Sequence, residues 1–362
     1  MRFLSKTSKS YIATCALALV LLLITAFAPF PYVREEAGRT FDSLGKIEGT
    51  ELLSVQDTVE NPTYPTDGKL VVLTVSSWGG PYGRLTWFDS LRTLVDDSVH
   101  ILPASFIFPE STSSQDLADQ GQQMFASSES NAIAAAMGFL GIKTTTTLIV
   151  ADVAKNKPSE NILKAGDVIT SFNDVKVENF DQIKSSMDNV EPGTKINVTV
   201  LRDGVETTHL INTIDDGNGR AVIGISVYSE VKAPMDIKVH LKDVGGPSAG
   251  LNFALTIIEK LTKADYIRGR TIAVTGEIDE LGKVGPIGGM PQKIQGALDS
   301  GASIMLIPVD NCSEIPEDYS GKMRIVPVES INGAISALSM HTKSNLPTCD
   351  NPQIWHSPAD GR

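Results

Sequence analysis

Ser248 lies in Asp243-Val244-Gly245-Gly246-Pro247-Ser248-Ala249-Gly250, and the apolar run Leu251 to Leu261 follows directly. A hydroxyl therefore stands where a glycine-rich turn gives way to a helix. Flanking glycines clear space around a side chain and let backbone N–H groups approach a substrate. A helix starting here aims its positive dipole end at the same spot. A nucleophile that builds negative charge on itself and on a carbonyl oxygen is favoured in that setting. A serine N-cap in an ordinary glycine-rich turn accounts for the octapeptide equally well.

A serine nucleophile needs a base. The five histidines (His100, His209, His240, His341 and His356) show no Ser-His-Asp spacing. His240 reads as a strand residue lining the site rather than a catalytic one. The other solution is a lysine kept neutral by burial, its pKa brought from roughly 10.4 to about 7–8. The segment Thr275 to Lys293, TGEIDELGKVGPIGGMPQK, holds two candidates. Lys283 sits in a polar turn and reads as solvated. Lys293 falls in the first turn of a helix that Pro291 opens and Gly301 ends, where a positive charge is disfavoured. A surface charge is the competing reading for either.

Pro247-Ser248-Ala249-Gly250, Thr275-Gly276-Glu277-Ile278, Gly282-x-Val284-x-Pro286-Ile287-Gly288-Gly289 and Lys293 follow one another in an order that resembles the proteolytic domain of the Lon serine proteases. Leu306-Ile307-Pro308 and Asn311 continue the resemblance, which covers roughly Gly224 to Leu338. It implies a Ser-Lys dyad, with Ser248 as nucleophile and Lys293 as general base. Thr275 would help hold the lysine, and the amides around Gly246 and Ala249 would stabilise the oxyanion. The energy-dependent members carry an acidic residue just before Gly-Pro-Ser. Here that position is Gly245. No G-x-x-x-x-G-K-[ST] phosphate loop occurs either, so ATP hydrolysis in cis is not expected.

A second unit precedes this one. A β-rich run, Thr144 to Val153, leads to Ile162-Leu163-Lys164-Ala165-Gly166-Asp167-Val168-Ile169, a short helical pattern over 179–190, the turn Pro192-Gly193, and the strand Lys195 to Leu201 with Arg202-Asp203-Gly204. The order resembles a bacterial PDZ domain, which binds extended peptide tails by strand addition. On that resemblance Gly138, Phe139, Leu140 and Gly141 would receive a terminal carboxylate in a backbone nest. Packing against neighbours is the alternative role for the unit.

The elements that must position these parts divide as follows. Residues 1–9 form a basic leader, with Arg2, Lys6 and Lys9, and 10–31 an apolar run long enough for a transmembrane helix. The charge asymmetry places the N-terminus in the cytoplasm and the bulk outside. A cleaved signal peptide is the rival, with Ala26-Phe27-Ala28 as cleavage site and Pro29 against it. Residues 40–137 read as a β-containing region associated with the protease. The shared Tyr64-Pro65-Thr66-Asp67-Gly68 and Thr74-Val75 resemble membrane-anchored Lon-like proteases with a PDZ domain. The PDZ-like unit spans 138–214, the proteolytic domain 221–340 and a polar tail 343–362. The fold class is α+β: an N-terminal transmembrane helix, a small β-rich PDZ domain and an α/β proteolytic domain.

With 43 acidic and 31 basic residues the chain is a poor partner for nucleic acid. The expected partners are polypeptide substrates, peptide tails at the PDZ-like unit, a bacterial cell membrane through one helix, and copies of the chain itself, six by family resemblance. No cofactor is implied, and no metal, since the histidines are scattered and no C-x-x-C occurs. Cys312 and Cys349 either pair or stay free. A non-catalytic tethered adaptor is the alternative to a peptidase. An intramembrane protease is disfavoured, because the apolar run lacks polar catalytic groups.

Overall fold

The computed structural model describes residues 6–90, 99–108, 113–242, 244–317, 319, 321–340 and 346–351. Asp243 of the serine turn, Arg2, His341, His356 and most of the polar tail lie outside them.

A five-stranded sheet carries the half of the chain that holds Ser248 and Lys293. Its order is Arg324–Val328, Ile304–Pro308, Thr271–Val274, Lys69–Val72 and Phe41–Asp42, the first four mutually parallel and the last antiparallel. Successive strand residues face opposite sides, and both faces are apolar here, as a sheet covered on both faces requires. Leu70, Val72, Ile272, Val274, Ile304 and Leu306 join the larger core with the helix Gly250–Leu261. Val71, Leu73, Ala273, Met305 and Ile307 join a second core with the helix Met290–Asp299. The serine helix and the lysine helix thus sit on opposite faces of one sheet.

Three strands come from far upstream, Phe41–Asp42 at the edge of this sheet among them. Lys69–Val72 pairs with Thr271–Val274, and Leu53–Val55 pairs antiparallel with Ile237–Val239. These upstream strands are therefore part of the same body as Ser248 and Lys293, and the PDZ-like unit is an insertion within it. The long helix Ser114–Leu140 opens on a capping box between Ser113 and Asp116 and ends at Gly141 in the left-handed conformation. It packs Phe125 edge-on against Phe253 and buries Ala132, Ala136 and Met137 in the larger core.

The PDZ-like sheet has the order Val205–Asn212, Lys195–Arg202, Val168–Phe172, Thr145–Val153 and Ile225–Lys232, all antiparallel, with the helix Phe180–Met187 beside it. Buried Asp167 is held bidentately by Arg202, at 2.6 Å to each carboxylate oxygen. The last strand lies beyond the expected boundary at 214, within the span 221–340 expected for the following domain. Ile225–Lys232 belongs to the PDZ-like sheet, and the chain then runs on into the body that holds Ser248.

The N-terminal run forms the helix Lys6–Ala26, 21 residues long, and does not continue to residue 31. Pro29 disfavours the helical region for the residue before it, and Pro29–Phe30 instead pairs with Leu85–Thr86. Among the described residues, no helix is long and apolar enough to cross a membrane, so the expected span over 10–31 is not found. Its described side chains are nonetheless exposed, Leu17 at 60%, Leu22 at 63% and Ile24 at 62%.

Cys312 and Cys349 are disulfide-bonded across 37 residues. The end of the chain is correspondingly not all free tail. Leu346 is buried in the larger core, and its carbonyl accepts from Arg324 Nη2 at 2.8 Å. Closing a loop of this size removes unfolded-state entropy worth about 2–4 kcal/mol. Denaturant unfolding with and without dithiothreitol is expected to show a loss of that order on reduction. Cys349→Ser should reproduce the loss and abolish the response to reductant.

Candidate active site

Ser248 and Lys293 line one cleft of about 1020 Å³, together with Glu277, His240, Ile287 and the segment from Val72 to Ser77. The serine is half-buried in the turn before its helix. The N-cap position of that helix is Ala249, and no side chain caps it. The cap alternative for Ser248 is thereby removed, and its hydroxyl is left for the cleft.

Lys293 lies in the first turn of its helix, whose N-cap Gly289 adopts φ 70°. A Cβ there would meet Val75 at 2.6 Å, so glycine serves both the backbone and the close approach. Lys293 is 3% exposed. Burial pushes its amine down to about 8, partly offset by the carboxylates of Glu277 and Glu314. Lys283, the other candidate, is exposed in its turn.

Thr275 joins the two. It directly follows strand Thr271–Val274 and is fully buried. Lys293 Nζ donates to its Oγ1 at 3.3 Å, and that hydroxyl donates to the Ser248 carbonyl at 3.3 Å. The Gly276 amide reaches the same carbonyl at 2.9 Å. Buried Asn311 holds the turn before the lysine helix by accepting from Ile287 N at 3.0 Å and donating to Ile287 O at 2.8 Å. His240 lines the cleft and bonds through Nε2 to Ser54 Oγ at 3.2 Å, away from the dyad.

Two expected sites are corrected. The Gly246 amide donates to Gly121 O at 2.9 Å, so it faces the long helix and is not a donor toward substrate. Gly138, Phe139 and Leu140 lie inside the long helix, where amides bond within the helix, and the Gly141 amide turns back to Gly138 O and Met137 O. No carboxylate nest forms there. Among the described residues strand Ile225–Lys232 ends its sheet instead, pairing on one side only, and it contacts both helix Phe180–Met187 and the long helix. Just before it the amides of Ile223 and Gly224, with Gly224 at φ 77°, have no protein acceptor among the described residues. Glu277 stood in the sequence motif without a role; burial raises its carboxyl, offset by Lys293.

Residues 223–340 match the family model of the Lon protease (S16) C-terminal proteolytic domain. Residues 135–213 match that of the PDZ domain. The chain carries a Lon-type serine peptidase domain and a PDZ domain. Lon protease 2 of Herpetosiphon aurantiacus is 30% identical over 189 residues, 43% of this chain and 23% of that protein. The Lon protease of Trichlorobacter lovleyi is 41% identical over 90 residues, 24% of this chain and 11% of that one. The matched part is thus under a quarter of these relatives' length. The PDZ domain of the SdrC-like protein from Listeria monocytogenes aligns with 22% of this chain and 85% of its own at 20% identity and TM-score 0.21.

The charge state of Lys293 depends on its neighbours. Glu277 stabilises its ammonium form, so Glu277→Gln should lower the Lys293 pKa from about 8. Carbon-13 lysine NMR titration of the full chain reads the shift; an unchanged or higher value contradicts this electrostatic assignment.

Proposed function

We propose that the protein is a serine endopeptidase with a Ser248-Lys293 dyad. The observation that carries this is the buried Lys293, its amine near 8, sharing both the cleft and Thr275 with Ser248. Neutral Lys293 takes the Ser248 proton as Oγ attacks a peptide carbonyl, and the tetrahedral oxyanion forms. The lysinium then protonates the leaving amine as the C–N bond breaks. Water, deprotonated by the same amine, hydrolyses the acyl ester and returns the proton to Ser248.

Substrates in this reading are unfolded or flexible polypeptides, because the 362 residues hold no phosphate loop to drive unfolding. Peptide tails would add to the free edge of strand Ile225–Lys232 beside helix Phe180–Met187, with the Ile223 and Gly224 amides as carboxylate donors. The disulfide supports an oxidising, extracytoplasmic location. The exposed side chains of helix Lys6–Ala26 would tether the protein at a bacterial membrane without spanning it. Cell fractionation tests that location, and sedimentation tests a hexamer.

Ser248→Ala and Lys293→Met should each abolish cleavage of unfolded casein while the fold is retained. A fluorophosphonate should label Ser248 in the parent. Below pH 8 the lysine holds its proton and cannot act as base, so kcat/KM should rise with pH through an inflection near 8 and then level. Parental cleavage by Ser248→Ala would refute the nucleophile. Absence of labelling together with absence of cleavage would favour a PDZ adaptor.

A further inference from the structure

The match to the Lon-type domain begins at residue 223, yet the serine turn is gripped by the long helix Ser114–Leu140, far upstream. Gln122 Nε2 donates to Val244 O at 3.1 Å, Gly121 O accepts from Gly246 N at 2.9 Å, and Ser128 Oγ donates to Pro247 O at 2.8 Å. Ser128 is 2% exposed. Its hydroxyl has no solvent to turn to, and buried polar groups are held by such bonds. The fit is close enough to dictate neighbours. A Cβ on Gly250 would lie 2.8 Å from Ser128 Oγ, and one on Gly245 would lie 3.1 Å from Gly121 Cα.

Peptide groups are planar and trans, so the carbonyl of one residue and the N–H of the next point in opposite directions. No cis peptide occurs among the described residues. The Pro247 carbonyl also accepts from Gly250 N at 3.3 Å, and holding it there and on the helix, where the Ser128 bond is the shorter, turns the Ser248 N–H away from both. That other side is the cleft, which Ser248 lines and to which the long helix contributes no residue. Among the described residues the Ser248 N–H has no protein acceptor. The Gly246 amide, facing the helix, is already taken.

We propose that Ser128 is a positioning residue for peptide-bond cleavage. Its hydroxyl fixes the Pro247–Ser248 peptide plane so that the Ser248 N–H donates to the oxyanion formed on the attacked carbonyl. The role rests on Ser248 being the nucleophile.

The test compares the full-length parent, Ser128→Ala and Ser128→Cys on unfolded casein and with a peptide boronate, which forms a tetrahedral adduct on the serine. Loss of one oxyanion donor lowers kcat by about a hundredfold or more, and loosening one that remains should cost about tenfold to a hundredfold. Ser128→Ala is expected to lose that much kcat with KM unchanged. The boronate affinity should fall in step, and the inflection near pH 8 set by Lys293 should stay put. Ser128→Cys, a weaker donor of similar size, should fall between. Parental kcat and boronate affinity in folded Ser128→Ala overturn the proposal. If Ser128→Ala does not fold, parental values in Ser128→Cys do the same, and reduced values there support it. Cleavage by Ser248→Ala at the parental rate would be a different failure, that of the nucleophile itself.

Discussion

The Thr275 hydroxyl, at the carboxyl end of strand Thr271–Val274, is the point on which the site turns. It has one proton, which goes to the Ser248 carbonyl. Its lone pairs are thereby left facing Lys293 Nζ, which donates to it. A neutral amine that uses an N–H there keeps its own lone pair for another proton. Burial supplies the second half of the constraint, because solvent at Lys293 would restore the ammonium. The two helices lie on opposite faces of the sheet. Their N-terminal ends meet only where the sheet stops, past the carboxyl end of a parallel strand.

Threading explains why the proteolytic body is built from two distant pieces. Strand Lys69–Val72 supplies one neighbour of Thr271–Val274, and its continuation to Ser77 walls the cleft. The long helix then covers the serine helix, with Phe125 on Phe253. Burying side chains of this size contributes about 1.5–3 kcal/mol each. Four residues after that helix the PDZ strand Thr145–Val153 begins, and its partner Ile225–Lys232 leads back toward Ser248. Both connections of the inserted domain thus run to the serine turn, one through the helix that grips it and one through the strand that precedes it.

What could be read from sequence was what is local. Ser248 and Lys293 announce themselves through glycines and helix starts, because backbone freedom and dipole position depend on neighbours in the chain, whereas Thr275 is marked only by the family resemblance. The alternation in strands such as Ile304–Pro308 is hidden, since both faces are covered. The carboxylate nest at Gly138 to Gly141 rested on the PDZ resemblance, but the alanine-rich run before them carries the helix through Leu140. Placing Ile225–Lys232 in the PDZ sheet needs its pairing with Thr145–Val153, which no local pattern encodes. Ser128 sits in an unremarkable Ala-Ser-Ser-Glu-Ser run. Only the approach of a distant loop gives it meaning.

Gly245 shows how that approach changes the chemistry available to the dyad. A side chain at this position would press its Cβ onto the Gly121 backbone, with Cα, C and O at 3.1 to 3.3 Å. Backbone yields less readily than a flexible side chain, so an acidic residue at 245 would require the helix contact to give by a few tenths of an ångström. The charge that does reach Lys293 comes instead from Glu277 and Glu314. These carboxylates stabilise the ammonium and so oppose the burial that makes the base. The turn around Ser248 consequently carries no charge of its own at this position. Its geometry is held by neutral hydrogen bonds from a helix that the Lon-type domain match does not include.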